Sequence, residues 1–275
     1  MLPYPDIGPV AFHAGPVAVR WYALAYGTGM LAAWGMARAA LPALARAGRP
    51  APSPSDVADL ALWGGVGAVL GGRLGYVLVY DPARYLADPW DVLAIRQGGM
   101  SFHGGLAGAA LAAFLLARAR RLPALSLMDV AALGAPVGLG LGRLANLANG
   151  ELWGRVSPAL PLGMVFPGAG PLPRHPSQLY EAVAEGLLLL CAVLAAALAT
   201  RMRRPGLVAG TFALGYALAR TACEQFREPD PQLGYLWGDA DLGLTMGTVL
   251  CLPLAAAGAW LVARAFLRPP TGTGT

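Results

Sequence analysis

Apolar residues dominate this chain in seven long runs, and the polar residues between them come in short groups. The runs cover about residues 20–41, 56–80, 102–117, 127–145, 178–200, 207–223 and 242–266. A helix rises 1.5 Å per residue, so roughly 20 mostly apolar residues cross the ~30 Å hydrocarbon core of a bilayer. The pattern predicts an all-α polytopic membrane protein with about seven transmembrane helices. The third run is the shortest and opens on Gly98, Gly99, Gly104 and Gly105, which leaves open a broken or re-entrant element lining a cavity. The Pro- and Gly-rich stretch at 150–177 is too long for a tight turn and predicts a small head between spans four and five. Residues 1–268 form one expected integral-membrane domain, and 269–275 an expected disordered tail. The echo of Gly72-Arg73-Leu74 in Gly142-Arg143-Leu144 is too short to establish a repeat, so inverted-repeat transporter symmetry has no support.

Loop charge gives the direction of threading. Arg38, Arg46 and Arg49 follow the first run, Arg118, Arg120 and Arg121 the third, Arg201, Arg203 and Arg204 the fifth, and Arg264 and Arg268 the seventh. The alternate connections carry Asp81, Asp88 and Asp91, then Glu151, then Glu228, Asp230, Asp239 and Asp241. By the positive-inside rule the amino terminus and the 150–177 head are outside and the carboxyl terminus is cytoplasmic.

Composition fits a membrane protein: 56% hydrophobic and 13% charged residues, with a mean hydropathy of +0.54, lie far from the quarter of charged residues in soluble domains. The net charge of +5 comes from arginines dispersed between apolar runs, so nucleic-acid binding is not expected. No basic residue precedes Arg20, so no cleaved signal peptide is expected. Cys191, Cys223 and Cys251 stand singly in apolar surroundings and are read as small buried hydrophobes, not a metal site.

Three arginines, Arg73, Arg143 and Arg220, lie inside apolar runs of a chain without lysine. Each costs roughly 2.5–3.5 kcal/mol at mid-bilayer unless something anionic or polar receives it. Alternating the direction of the spans puts Tyr26, Arg73, His103, Arg143, Asn146, Tyr180, Glu181, Arg220 and Glu224 all toward the outer leaflet, where a site is expected. Tyr216, Arg220, Glu224 and Arg227 form one helical stripe, either a structural ion pair with Arg227 snorkelling or a polar wall of a cavity. Arg143 and Asn146 share a face, either as an interhelical clamp or as part of that wall. Glycines on both sides of His103 allow close approach by a ligand or by another backbone. His175, ahead of Pro176 and an expected Ser177 helix cap, is read as organising the start of the fifth span, and His13 carries no signal. Arginines at one lipid depth suit a phosphate, and therefore an anionic phospholipid substrate. No nucleophile elbow, P-loop or metal-ligand grouping is present.

Several motifs in one order resemble the bacterial prolipoprotein diacylglyceryl transferases: Gly99-Met100-Ser101-Phe102-His103-Gly104-Gly105-Leu106, Gly142-Arg143-Leu144-Ala145-Asn146 leading to Asn149-Gly150-Glu151-Leu152-Trp153-Gly154-Arg155, and Arg174-His175-Pro176-Ser177-Gln178-Leu179-Tyr180-Glu181. Trp21-Tyr22 with Tyr26, the run from Gly71 to Tyr76, and Arg220 with Glu224 to Arg227 extend the likeness nearly end to end. The resemblance implies a multi-pass inner-membrane enzyme that moves the diacylglyceryl group of phosphatidylglycerol to the lipobox cysteine of a prolipoprotein signal peptide. It implies no metal or organic cofactor. By position it matches Arg143 and Arg220 to the family's essential phosphatidylglycerol-site arginines, His103 to its essential histidine, and Tyr26, Asn146, Glu151, Gly154 and Glu224 to its supporting residues. Together with the residues read above, His103, Arg143, Arg220 and Tyr26 are the expected catalytic set, and Arg143, Arg220, Arg73, Gly104, Asn146, Glu151, Gly154, Tyr216, Glu224 and Arg227 the expected substrate-binding set. A lipid or anion transporter using the same arginines, or a scaffold held together by them, is the alternative.

Overall fold

The structure, a computed structural model, describes residues 1–5, 7–158, 161–230, 232–239 and 243–272. Asp241, the first residue of the seventh run (Leu242) and tail residues 273–275 lie outside the described residues. The elements are a hairpin of β1 (Val10–Ala14) and β2 (Val17–Arg20), then helices α1 (Trp21–Arg46), α2 (Pro54–Val79), α3 (Pro82–Ala87), α4 (Phe102–Ala119), α5 (Ala124–Asn149), α6 (Ser177–Glu181), α7 (Leu189–Thr200), α8 (Leu207–Glu224) and α9 (Met246–Leu267). A π-helical segment, Ala182–Leu188, joins α6 to α7 in one continuous rod, Ser177–Thr200.

Five of these helices are long and apolar enough to cross a membrane: α2, α4, α5, the Ser177–Thr200 rod and α9. Tyr22, Tyr26, two tryptophans and several glycines dilute α1, and Arg220 with Glu224 dilutes α8. The expectation of an all-α chain needs one correction. The segment around Gly15 and Pro16 forms a two-stranded antiparallel ribbon, with Phe12 opposite Val19 and Ala14 opposite Val17.

Lipid supplies no hydrophobic drive to bring helices together, so small residues set the contacts. The backbones of α2 and α4 touch: a Cβ on Gly71 would stand 2.4 Å from the Gly104 carbonyl oxygen. The glycines at the start of the third run thus pack a continuous helix, capped by the Ser101 hydroxyl on the Gly104 N–H (3.2 Å), and no re-entrant break occurs. Helix α5 stops where expected, with Gly150 left-handed at φ 65°. The final helix begins at Met246, later than its apolar run, because Leu244 pairs with Trp237 and the Thr245 hydroxyl caps the Thr248 N–H.

The long helices present two distinct ends. At one, α1, α5 and α8 are joined by a buried staple. Arg49 donates to Asp129 (2.8 Å) and to the carbonyls of Met202 and Leu125, while Asp129 accepts from the N–H groups of Gly206 and Ala209. Thr271, in the expected disordered tail, donates twice to the Arg203 carbonyl there. The apolar core, including Leu44, Val57, Leu127, Val130, Val193 and Val208, leads from this end to Phe212 and Tyr216. At the other end the 150–176 connection is pinned by the bridges Gly154–Arg227 and Val156–Arg174, and beside them lies the buried polar cluster described next.

Candidate active site

The site assembles where α5 ends, the Ser177–Thr200 rod begins and α8 ends. Arg143 projects from α5 between two carboxylates of the rod, with Nε 2.8 Å from Glu181 Oε2 and Nη2 2.8 Å from Glu185 Oε2. On α8, Arg220 reaches Glu224 at 2.5 Å, one helical turn on, and Glu181 at 3.4 Å. Arg227 donates to Glu181 Oε1 at 2.9 Å. All three carboxylates are buried. Each of these three guanidiniums is therefore met by anionic oxygen, which offsets the cost of withdrawing it from water. Glu224 is steadied further by the Thr245 hydroxyl at 2.7 Å.

Tyr216, fully buried one turn before Arg220, stacks on Phe102 at 4.5 Å between ring centroids and lies edge-on to His103 at 6.2 Å. His103 Nε2 is 3.3 Å from the Cys251 thiol of α9. Beyond Arg143, Glu151 accepts from Asn149 (3.2 Å), from Asn146 (3.3 Å) and from the Tyr22 hydroxyl, to which Asn146 also donates. Gly154 is sandwiched, its N–H on the His175 carbonyl, and a Cβ there would lie 2.4 Å from the Phe226 carbonyl oxygen. His175 lies outside the helices with its ring against Phe226 and its Nδ1 3.3 Å from the Tyr180 hydroxyl. Burial, and then the Arg155 guanidinium, hold its imidazole below the usual value.

Residues 9–264 match the family model described as prolipoprotein diacylglyceryl transferase. The chain belongs to this family. The phosphatidylglycerol–prolipoprotein diacylglyceryl transferase of Methylocella silvestris is 53% identical over 272 residues, 98% of this chain and 97% of the relative. Relatives of the same name from Beijerinckia indica and Nitrobacter hamburgensis are 53% and 50% identical, covering 96% and 98% of this chain and 96% and 92% of their own lengths. Membership bears out the resemblance drawn from the motifs, and with its apolar helices it makes the chain a membrane protein.

Within this family member the geometry sorts the expected site residues. Arg143, Arg220, Tyr216, Glu224 and Arg227 meet in one cluster, with His103 beside Tyr216 and Asn146 and Glu151 beside Arg143. Three others stand apart. Arg73 spends its guanidinium on the backbone carbonyls of Asp91, Val92, Gly98 and Gly99 at 2.6–3.0 Å, holding the loop before His103. Gly104 is a helix-packing position. Tyr26 is 65% exposed, stacks on Tyr22, and lies near enough to Arg143 and Glu151 to interact with their charges. Ser177 does not cap its helix: as the first helical residue it donates to the Leu152 carbonyl at 3.0 Å, and Gln178 donates to the Glu151 carbonyl at 2.7 Å. Cys191 is exposed, contrary to the expectation of burial, whereas Cys223 and Cys251 are buried. Glu185, Thr245 and Cys251 escaped the reading of the sequence as site residues. The i, i+4 spacing of Glu185 from Glu181 was the available signal.

Proposed function

We propose that this protein is a phosphatidylglycerol–prolipoprotein diacylglyceryl transferase. It moves the sn-1,2-diacylglyceryl group of phosphatidylglycerol to the lipobox cysteine thiol of a prolipoprotein signal peptide, forming a thioether and releasing glycerol phosphate. The observation that carries the reading is that Arg143 and Arg220, far apart in sequence, share the carboxylates of Glu181 and Glu185 in a single buried cluster beside Tyr216 and His103.

The chemistry uses these groups in order. The cysteine sulfur attacks the terminal glyceryl carbon, an S–C bond forms, and the C–O bond to phosphate breaks with its electron pair left on the phosphate oxygen. Arg143 and Arg220 pair with the charge that grows there, and stabilisation of this kind commonly supplies a few kcal/mol per donor. A free thiol is only a few per cent ionised at neutral pH, so its proton needs an acceptor, and His103 is the base. Tyr216 and Cys251 hold the imidazole from two sides. Asn146, Glu151 and Tyr22 brace the helix turn that carries Arg143, and Gly154 lets the 150–176 connection pack against Phe226.

Seven crossings of the bacterial inner membrane, with the amino terminus and the 150–176 head outside and the carboxyl terminus cytoplasmic, complete the proposal. Its support is a group of arginines at the end opposite the cluster, Arg49, Arg203, Arg204 and Arg264 among them. Purified protein in detergent, given phosphatidylglycerol and a lipobox peptide, is expected to yield a thioether-linked diacylglyceryl peptide by mass spectrometry. No product under conditions in which the Methylocella silvestris relative works would refute the reading. Lipid movement between vesicles without product would favour a transporter.

A further inference from the structure

The charge of the cluster is balanced. Among the described residues three guanidiniums, Arg143, Arg220 and Arg227, meet three carboxylates, Glu181, Glu185 and Glu224. A phosphodiester would add one negative charge, and the phosphomonoester left after transfer nearly two. A buried network does not take on net charge cheaply, so a carboxylate has to yield its place on the arginines when a phosphate arrives.

Glu185 is the member built to yield. Its Oε2 accepts from Arg143 Nε and Nη2 at 3.0 and 2.8 Å, and its Oε1 lies 3.9 Å from Arg220. One carboxylate thus spans the two guanidiniums expected to hold the lipid phosphate. The other two are fastened from outside that pair: Glu181 by Arg227 at 2.9 Å, and Glu224 by the Thr245 hydroxyl. Among the described residues Glu185 has no such outside anchor: its ion pairs are with Arg143 and Arg220 alone, and its Oε1, like Glu181 Oε2 and Glu224 Oε2, is buried with no hydrogen-bond partner. Its backbone belongs to the π-helical segment, a turn type frequent at functional sites.

We propose that Glu185 is a stand-in for the substrate phosphate. Without lipid its carboxylate occupies the arginine donors that the phosphate takes, and headgroup binding is an exchange of one anion for the other. This rests on the transferase reading and adds to it a positioning residue, one that competes with substrate and helps to expel the anionic product.

The test is Glu185→Gln, which keeps the shape and removes the competing charge. The KM for phosphatidylglycerol is expected to fall about tenfold, and kcat to fall as glycerol phosphate leaves more slowly. A merely structural glutamate would give the opposite sign in KM. Glu228→Gln, in a surface pair with Arg174 at 3.0 Å, is expected to leave both constants unchanged. In a second measurement, independent of turnover, sn-glycerol 1-phosphate should raise the unfolding temperature of Glu185→Gln more than that of the unaltered protein. Inorganic phosphate in parallel separates recognition of the headgroup from recognition of any phosphate. Should Glu185→Gln fail to fold, Glu185→Asp, with its carboxylate drawn back by one methylene, is expected to lower KM about threefold. An unchanged or raised KM in a folded variant overturns the proposal. Absence of product from the unaltered protein instead overturns the transferase reading, and the thermal measurement then still decides the role of Glu185.

Discussion

The bundle buries ionised groups at both ends, but it treats them differently. Around Asp129 no buried side-chain atom of the pair is left without a partner among the described residues: the carboxylate takes Arg49 and two backbone N–H groups at the start of α8, and Arg49 also donates to the carbonyls of Met202 and Leu125. At the opposite end Glu181 Oε2, Glu185 Oε1, Glu224 Oε2, Arg220 Nη1 and the Tyr216 hydroxyl are buried without a well-aligned hydrogen bond, although several are within ion-pair distance of an opposite charge. A closed network fixes architecture because no partner is left to exchange. An open one keeps donors and acceptors that an incoming anion can use, at the cost of local stability.

The sharpest way to break this comparison is to cut each network once. Asp129→Ala leaves Arg49 charged and unpaired in the interior and is expected to cost about 3–5 kcal/mol. Denaturation in detergent would register the loss, while turnover per folded molecule should persist. Arg143→Ala and Arg220→Ala are expected to invert that result, lowering kcat on the order of 100- to 1000-fold with unchanged elution and helicity. Loss of activity from Asp129→Ala at full stability, or wild-type rates from either arginine variant, would erase the distinction between the ends. A smaller effect is expected from Gly104→Val, which drives side-chain atoms into the Gly71 carbonyl and should destabilise by about 1–3 kcal/mol, read as a lowered unfolding temperature.

The smallest effect concerns His175. Its folded-state pKa is depressed, so the native protein binds fewer protons than the unfolded chain below about pH 6.5. Stability should therefore fall as pH drops from about 6.5 toward the lower folded value. His175→Asn should flatten that slope, and an unchanged profile would show that the ring is not titrating against its surroundings.

That Arg143 and Arg220 would meet polar partners was legible because a guanidinium inside an apolar run has few explanations. Their partners were harder to see. Glu185 lies in Ala-Val-Ala-Glu-Gly-Leu-Leu, where its four-residue spacing from Glu181 is the one pattern it offers, yet three buried cations demanded as many anions, and counting charge would have pointed to it. Arg73 shows the opposite error: its need of polar partners was readable, but not that backbone carbonyls would absorb it, since the loop at residues 91–99 folds back only in three dimensions. The hairpin at residues 10–20 went unread, and Gly15 and Pro16 serve as its turn.

The contact between α2 and α4 has a mechanical consequence. With glycine backbones touching and Arg73 mooring the loop that leads into α4, these two helices behave as one stiff plank, and the imidazole of His103 rides on its edge. Tilting that plank against the rest of the bundle would carry this imidazole toward or away from the arginines of α5 and α8 without bending either helix, so the reach between the proposed base and the proposed leaving-group site would be set by how the two parts sit together.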